Sequence, residues 1–474
     1  MTIGISALSV YLPRSRISRS AIADAHRWAV PTLAARGKGT ISAANWDEDS
    51  VTMAHEAARR VTLTHTPTAL QFCSTSMPFA DRSHAALLNE ALQLDSHNRT
   101  QDLGACARAA SSALYAELAQ GQRGTLIMAA EKRLAKPAST QEISQGDAAA
   151  ALITGSDDLL AEYVAGRTFA TDFVDHYRRA DSDFDYAFED RWVRDEFYLA
   201  DAPTLIRDLL ADNAIAASEV SQLVINAPLR VRSKIAQLCG LTDADVGLTS
   251  DAEVGGTGCV APLLGLAEAL PRASAGSCIV CVTFGQGVDV LVLRATANAS
   301  QCTAFGDALA TGERDDNYLR YLSHRGLIAM DWGKRAERDV RTAQSAYYRQ
   351  RDQISGLVGG KCTACGTAQF PRTKACVNPE CREFAAQTPY AFADLTGTIK
   401  SFTEDWQAYS PAPPLIYGNI VFEGGANIMM QFSDTSEGSV SVGDSVGMHF
   451  RIKDIDRARG YQRYFWKAIP VRGG

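Results

Sequence analysis

The stretch QDLGACARAASSALYAEL, residues 101–118, decides how this chain is read. It puts Cys106 behind Gly104 and Ala105, at the head of a predicted helix (Cys106–Ala119) whose small side chains can lie deep in a protein. A thiol at a helix start feels the partial positive charge and unpaired N–H groups of the first turn, which favour thiolate. Cys106 is therefore a candidate nucleophile. Free cysteine is also among the most buried of side chains, so residue type alone favours a small core residue over a nucleophile.

Outward from that segment the pattern alternates between β and α. Ile3–Leu12 reads as a strand, Asp47–Val61 as a charged amphipathic helix, and Ala69–Ser74, Thr125–Ala130 and Ala148–Thr154 as short buried strands. After a charged, aromatic interlude at Asp172–Tyr198, a helix begins near Ala202. Strands follow at Leu223–Ala227, Cys278–Thr283 and Val288–Leu293, with a small-residue helix at Thr257–Leu270. Two similar halves imply a duplicated, layered α/β body over residues 1–295. Residues 296–358, including GERDDNYLRYL and RAERDVRTAQSAYYRQRD, lose the strands and read as a charged helical linker. A cysteine cluster at 359–386 and a β-rich, Gly/Pro-punctuated stretch at 387–474 then predict a small metal module and a small OB-like barrel.

The 474 residues exceed what one core organises, and 46% apolar with 21% charged residues is ordinary globular composition. A net charge of −7 with interspersed signs disfavours nucleic acid as a partner. The apolar N-terminus reads as a strand rather than a signal peptide, and no run reaches membrane-spanning length. Eleven cysteines, odd in number and clustered, fit a reducing compartment, with the cytoplasm as the expectation.

Cys362 and Cys365 form one CxxC pair; after ten intervening residues Cys376 opens a second pair with Cys381, four residues intervening. Four thiolates on two turns surround a tetrahedral Zn²⁺, and with no open coordination position the metal is structural. Cys278 and Cys281 share the two-residue spacing but sit in the predicted strand SCIVCVTF. There, residues three apart face opposite sides, so these are core cysteines.

The segments IGISALSVYLPR, WDEDSVTMAHEAARR, DLGACARAASSAL, QGDAAAALITG and GGTGCVAPLLGLAEAL, in that order, resemble the hydroxymethylglutaryl-CoA synthase and β-ketoacyl-ACP synthase III branch of the thiolase superfamily. Residues 340–470 resemble the rubredoxin-like zinc ribbon plus OB-fold family that often accompanies such enzymes as a separate subunit. The resemblance implies a thiolase-like homodimer in which Cys106 accepts an acyl group from a CoA or acyl-carrier thioester and passes it to a carbanion, or the reverse. The Cys106 N–H and the turn Gly285, Gln286, Gly287 occupy the family's oxyanion positions.

The match breaks at three positions. The family's histidine and asparagine are replaced by Asn226, in VINAPLR, and Gly256, in EVGGTGC; Met77, in STSMPFADRS, stands near the synthase's acid/base glutamate. These losses disfavour a true hydroxymethylglutaryl-CoA synthase. Asn226 can donate to an oxyanion but is no base, and Gly256 joins Gly285 and Gly287 as an oxyanion or turn candidate. His176 is the alternative base, and on a helix it would share a face with Asp172. Arg230, Arg232 and Lys234 are candidates for the CoA phosphates, while Trp406, Tyr409, Phe465 and Trp466 have no assigned role. Besides Claisen-type acyl transfer, the sequence admits acylation of an activated aromatic or heteroatom acceptor, or a non-catalytic acyl-CoA scaffold.

Overall fold

The structure, a computed structural model, describes residues 2–332 and 343–471. The part of the predicted helical linker at 333–342 lies outside the described residues. The chain divides into two compact units: Met1–Ala44, Asp49–Asn89 and Asp95–Tyr321 form the first, and Asn45–Glu48, Glu90–Leu94 and Leu322–Gly474 the second.

The first unit is built on one sheet. Its strands are β1 (Gly4–Tyr11), β2 (Ala69–Cys73), β3 (Arg99–Leu103), β4 (Thr125–Glu131), β5 (Ala148–Gly155), β6 (Ala161–Ala170), β7 (Val220–Ile225), β8 (Cys278–Phe284) and β9 (Gly287–Ala295). They lie in the order β7-β8-β9-β6-β1-β5-β4-β2-β3. From β1 outward, the first two pairings (β1/β5, β5/β4) are antiparallel and the next (β4/β2) parallel; from β6 outward, β6/β9 and β9/β8 are antiparallel and β8/β7 parallel. The duplication expected from element order is therefore present in the strand pairing itself. The polar strand β3 and the ten-residue β6, AEYVAGRTFA, are additions to the expected set.

Side chains alternate across this sheet into two cores. Ile279 and Cys281 join the core that contains α2 (Ala109–Ala119) and α5 (Ala261–Ala269). Cys278, Val280 and Val282 join the core of α3 (Ala202–Asp212) and α4 (Leu229–Cys239). The two strand cysteines thus face opposite layers, as the period of two requires. Helix α1 (Ser50–Thr62) starts at a reciprocal cap: Asp49 accepts the Thr52 N–H at 2.9 Å and the Thr52 hydroxyl accepts the Asp49 N–H at 2.9 Å. Such a cap contributes about 1 kcal/mol. Among the described residues of the linker there are short helices at Ala304–Ala310, Tyr318–His324, Gln344–Arg349 and Arg351–Ser355, and Glu313–Arg314 adds a short parallel strand beside Ser15–Arg16.

In the second unit, strands Asn427–Gln431, Leu415–Phe422, Gly397–Asp405, Ser445–Asp456 and Tyr461–Pro470 form a sheet in that order. It closes into a small barrel where Phe432 meets Ala468, the Ser433 N–H reaching the Ala468 carbonyl at 3.0 Å. Alternate residues of Leu415–Phe422 point inward. Trp466 is core, its indole N–H donating to the Ser355 carbonyl at 2.8 Å, whereas Trp406 and Tyr409 are exposed.

A buried ionic cluster ties Asn45–Glu48 into this unit. Lys467 Nζ lies 2.8 Å from Asp47 and 4.1 Å from the Trp46 ring centroid; Arg451 pairs with Glu48 and, at 3.0 Å, with Asp434. Burial works to raise the Asp47 carboxyl pKa, but Lys467 and Arg451, with bonds from Lys467 and Ser433, hold it below its ordinary value. Removing one partner of a buried pair strands the other. Lys467→Met is therefore expected to cost about 3–5 kcal/mol in denaturant unfolding, and Asp47→Asn combined with it to recover most of the loss. An unchanged midpoint in the single variant would show that the pair is dispensable.

Candidate active site

The nucleophile turn follows β3. Ala105 adopts φ +74°, a left-handed conformation that few non-glycine residues take, and Cys106 follows half-buried in the turn before α2. The helix proper begins at Ala109, three residues later than the sequence suggests, although Ala109 N–H already bonds the Cys106 carbonyl at 3.1 Å. The N–H groups of Cys106 and Ala107 make no hydrogen bond to another described residue. Met77 stands beside this turn, its Cε 3.8 Å from where a Cβ on Gly104 would lie. A thioether, which cannot take or give a proton, thus stands next to Gly104 at this turn. The nearby thiols of Cys73 and Cys259 are wholly buried, and burial pushes both well above the ordinary thiol pKa. They behave as core.

The second half contributes the turn Gly285–Gln286–Gly287 between β8 and β9, with Gln286 at φ +56° and Gly287 at φ +133°. A Cβ on Gly285 would lie 3.0 Å from the Arg108 nitrogen and 3.2 Å from that of Ala107. Only glycine lets this turn rest against the backbone that follows Cys106. Arg108, which sequence reasoning passed over, reaches across: Nε donates to the Gly285 carbonyl at 2.9 Å, Nη2 to that of Gln286 at 3.3 Å, and Nη1 to Asp289 at 2.7 Å. Asp289 is buried and also accepts from Ser111, Ser112 and Thr168 at 2.7, 2.6 and 2.8 Å. The available signal was an arginine within a run of alanines and serines, since a mostly buried cation needs a carboxylate.

The structure places three of the expected site residues. Asn226, just beyond β7, engages the end of β8 through its amide oxygen and one of its two N–H donors. Its Oδ1 accepts the Phe284 N–H at 2.8 Å and its Nδ2 donates to the Phe284 carbonyl at 3.1 Å, so it clamps the end of β8. The Gly256 N–H is likewise spent on the Ser144 carbonyl at 2.8 Å. His176 is not helical: His176–Tyr177 pairs with Tyr186–Ala187 across an Asp/Ser-rich turn, and its partner is Asp175, with Nδ1 and Oδ2 3.0 Å apart. Asp172 has no part in that contact.

The hydrogen bond that His176 donates to the Asp175 carboxylate holds its pKa above the ordinary 6.5 against the opposing effects of burial and Arg133. Gln286 Nε2 lies 3.5 Å from the His176 carbonyl, so this hairpin adjoins the turn that abuts Cys106. Arg178 and Arg133 approach Asp185 at 3.0 and 3.9 Å, and Arg133 also reaches the Gly256 carbonyl at 3.3 Å. Among the other histidines, His84 is buried with both ring nitrogens engaged: Nδ1 meets Asp102 at 3.0 Å, and Nε2 accepts the Phe79 N–H at 3.3 Å.

On α4 the three candidate cations separate. Arg232 is wholly buried and paired with Asp251, so it is not offered to a phosphate; Arg230 and Lys234 are exposed. In the second unit the four predicted thiols do converge. Sγ atoms of Cys362 and Cys381 lie 3.9 Å apart, those of Cys365 and Cys376 3.6 Å, and all four lie within 4.8 Å of one another. Tetrahedral Zn–S bonds of about 2.3 Å place sulfurs about 3.8 Å apart, so the donor set fits zinc. Strands Val358–Cys362, Ala368–Gln369 and Gln387–Ala391 carry the knuckles.

Comparisons with known proteins agree with this layout. Residues 354–385 match the model described as the ChsH2 rubredoxin-like zinc ribbon domain. The chain is 28% identical over 354 residues to the hydroxymethylglutaryl-CoA synthase of Caldivirga maquilingensis, covering 70% of this chain and 100% of that protein. Among solved structures it resembles MvaS in complex with 3-hydroxy-3-methylglutaryl coenzyme A, with TM-score 0.60 at 18% identity, covering 72% of this chain and 94% of the other. It also resembles 3-oxoacyl-(acyl carrier protein) synthase III from Pseudomonas aeruginosa, with TM-score 0.55 at 19% identity, covering 62% and 99%. This chain therefore has a thiolase-like fold and a sequence similar to hydroxymethylglutaryl-CoA synthases, followed by a rubredoxin-like zinc ribbon and a β-barrel.

Proposed function

We propose that the protein is a Cys106-dependent acyltransferase that makes or breaks a carbon–carbon bond beside a thioester carbonyl. The observation that carries this reading is the juxtaposition of the strained Cys106 turn, the Gly285–Gly287 turn laid on the backbone of Ala107 and Arg108, and the His176 hairpin held to Gln286. The Cys106 thiolate attacks the thioester carbonyl of an acyl-CoA or acyl-carrier donor. Charge collects on the carbonyl oxygen, to which the Cys106 N–H donates, and collapse expels the donor thiolate. A carbanion from a second thioester then attacks the acyl-enzyme and releases Cys106. We assign the proton transfer at carbon to His176, oriented by Asp175. Arg230 and Lys234 remain the candidates for the CoA phosphates.

The test is intact-protein mass spectrometry over a panel of acyl-CoAs, read together with α-proton exchange into the acyl-CoA. Mass gain with exchange supports carbon–carbon chemistry. Mass gain without exchange supports a second reading, acylation of an already nucleophilic aromatic or heteroatom acceptor. That reading is favoured by Met77 beside the nucleophile and by the commitment of Asn226 to Phe284. Binding of acyl-CoA with no adduct would leave a scaffold.

The raised His176 pKa gives the pH dependence a sign. A base works when neutral, so kcat/KM for the carbon–carbon step is expected to rise with pH through a midpoint above 6.5. Asp175→Asn should lower that midpoint and His176→Gln should remove the limb. The His176–Asp175 contribution to stability runs the other way: it is complete below the ordinary imidazole pKa and lost as pH rises through the raised one. An identical pH profile in His176→Gln would exclude the assignment.

We further read the thiol cluster as a structural zinc site, the barrel as OB-like, and the protein as a cytoplasmic homodimer. Eleven cysteines, none of them in a disulfide, support a reducing compartment, and no helix among the described residues is long and apolar enough to cross a membrane. The edge strand β3, paired only with β2, offers its outer side to a second copy.

A further inference from the structure

We propose that Arg108 is a positioning residue for acyl transfer, whose guanidinium sets the orientation of the Gly285–Gly287 turn beside Cys106. The inference rests on the reading of Cys106 as the acyl acceptor.

In a trans peptide the C=O and N–H point in opposite directions. Arg108 takes two successive carbonyls, those of Gly285 and Gln286, on one guanidinium face. Those bonds turn the N–H groups of Gln286 and Gly287 to the side away from the guanidinium. Gly285, lacking a side chain, lets the turn rest against the backbone of Ala107 and Arg108, where a Cβ would come within 3.0–3.2 Å of their nitrogens. The third arm fixes the fork in space. Nη1 binds Asp289, two residues beyond the turn on β9, and Asp289 gathers Ser111 and Ser112 from the helix behind the nucleophile and Thr168 from β6. One planar side chain thus joins the nucleophile helix, the turn and two strands, with Arg108 and Asp289 14% and 1% exposed. Lysine, a point charge, cannot hold two carbonyls and a carboxylate in one plane.

A plain ion pair would support the fold without affecting chemistry; a positioning fork affects the step in which an oxyanion forms. The two are separated with the full chain, comparing wild type, Arg108→Lys, and Arg108→Met combined with Asp289→Asn, which leaves no carboxylate uncompensated. Acylation by the preferred acyl-CoA of the panel is followed by quenched intact-mass analysis, and alkylation of Cys106 by iodoacetamide by peptide mass. Alkylation builds no oxyanion. Acylation at saturating thioester is expected to fall about 10²–10³-fold in both variants, with KM and the alkylation rate each within about threefold of wild type. Acylation at the wild-type rate in either folded variant overturns the proposal. So does a parallel fall in alkylation, which would place the effect on the thiol or the fold. Failure of the wild type to acylate at all is a different result and rejects the Cys106 reading instead.

Discussion

Replacing Cys106 with alanine is expected to remove the acyl-enzyme altogether and to lower turnover by about 10⁴-fold or more. The size follows from the surroundings. No other side chain beside the turn can take over: Met77 carries no exchangeable proton, and the thiols of Cys73 and Cys259 are wholly buried and held protonated by burial. Folding should hardly change, since Cys106 is half-buried in a turn and its loss opens little of the core. Cys106→Ser is the sharper probe. It keeps the shape and the hydrogen-bonding capacity, yet a hydroxyl is far less acidic than a thiol and His176 is assigned to the carbon acid rather than to residue 106, so it should fail nearly as completely. Intact-protein and peptide mass after acyl-CoA exposure reads both variants. An adduct that persists in Cys106→Ala would move the chemistry to another residue.

The second large effect is expected at the thiol cluster. If the site holds zinc, metal binding and folding of the ribbon are one equilibrium, with apparent energies of about 10–16 kcal/mol for structural zinc at neutral pH. Strands Val358–Cys362, Ala368–Gln369 and Gln387–Ala391 have few large apolar side chains between them, and the aromatic packing around Phe392 holds only the end away from the thiols. Cys376→Ser, or a strong chelator, should release a single zinc per chain. Backbone amides across residues 358–391 should then become rapidly exchanging, with the amides of β1, β4 and β5 in the first unit unchanged. Metal analysis with hydrogen-exchange mass spectrometry measures both. Full protection of the ribbon amides in a metal-free protein would show that the fold does not need the ion.

What was legible in the chain follows from the range of the interactions involved. The apolar strands and the four cysteines declare themselves locally, by β-branched runs and by covalent spacing, and the structure contains them. Strand β6 did not, because Glu162, Tyr163 and Arg167 break its alternation; its identity comes from pairing with β9 and β1. Strand β3, RTQDL, reads as a loop because an edge strand has no need of apolar side chains. His176 was found, but in the wrong secondary structure and with the wrong partner, since four-residue spacing means something only on a helix. Arg108 escaped because its meaning lies in Asp289, 181 residues away. Arg232 was misjudged for the related reason that a helical arginine can turn inward once Asp251 is there to receive it.

That separation also dates the birth of the site during synthesis. A nascent chain that has emerged only through the first half already carries the nucleophile, yet it lacks the turn that abuts it, the carboxylate that anchors Arg108 and the strand that bears both. Domains generally fold as units as they are made, and here the reactive centre belongs to neither half by itself. With Cys106 as the acyl acceptor, acyl transfer would have to wait until the chain through Asp289 has emerged and folded, so that a product truncated before it would carry the thiol without the turn beside it.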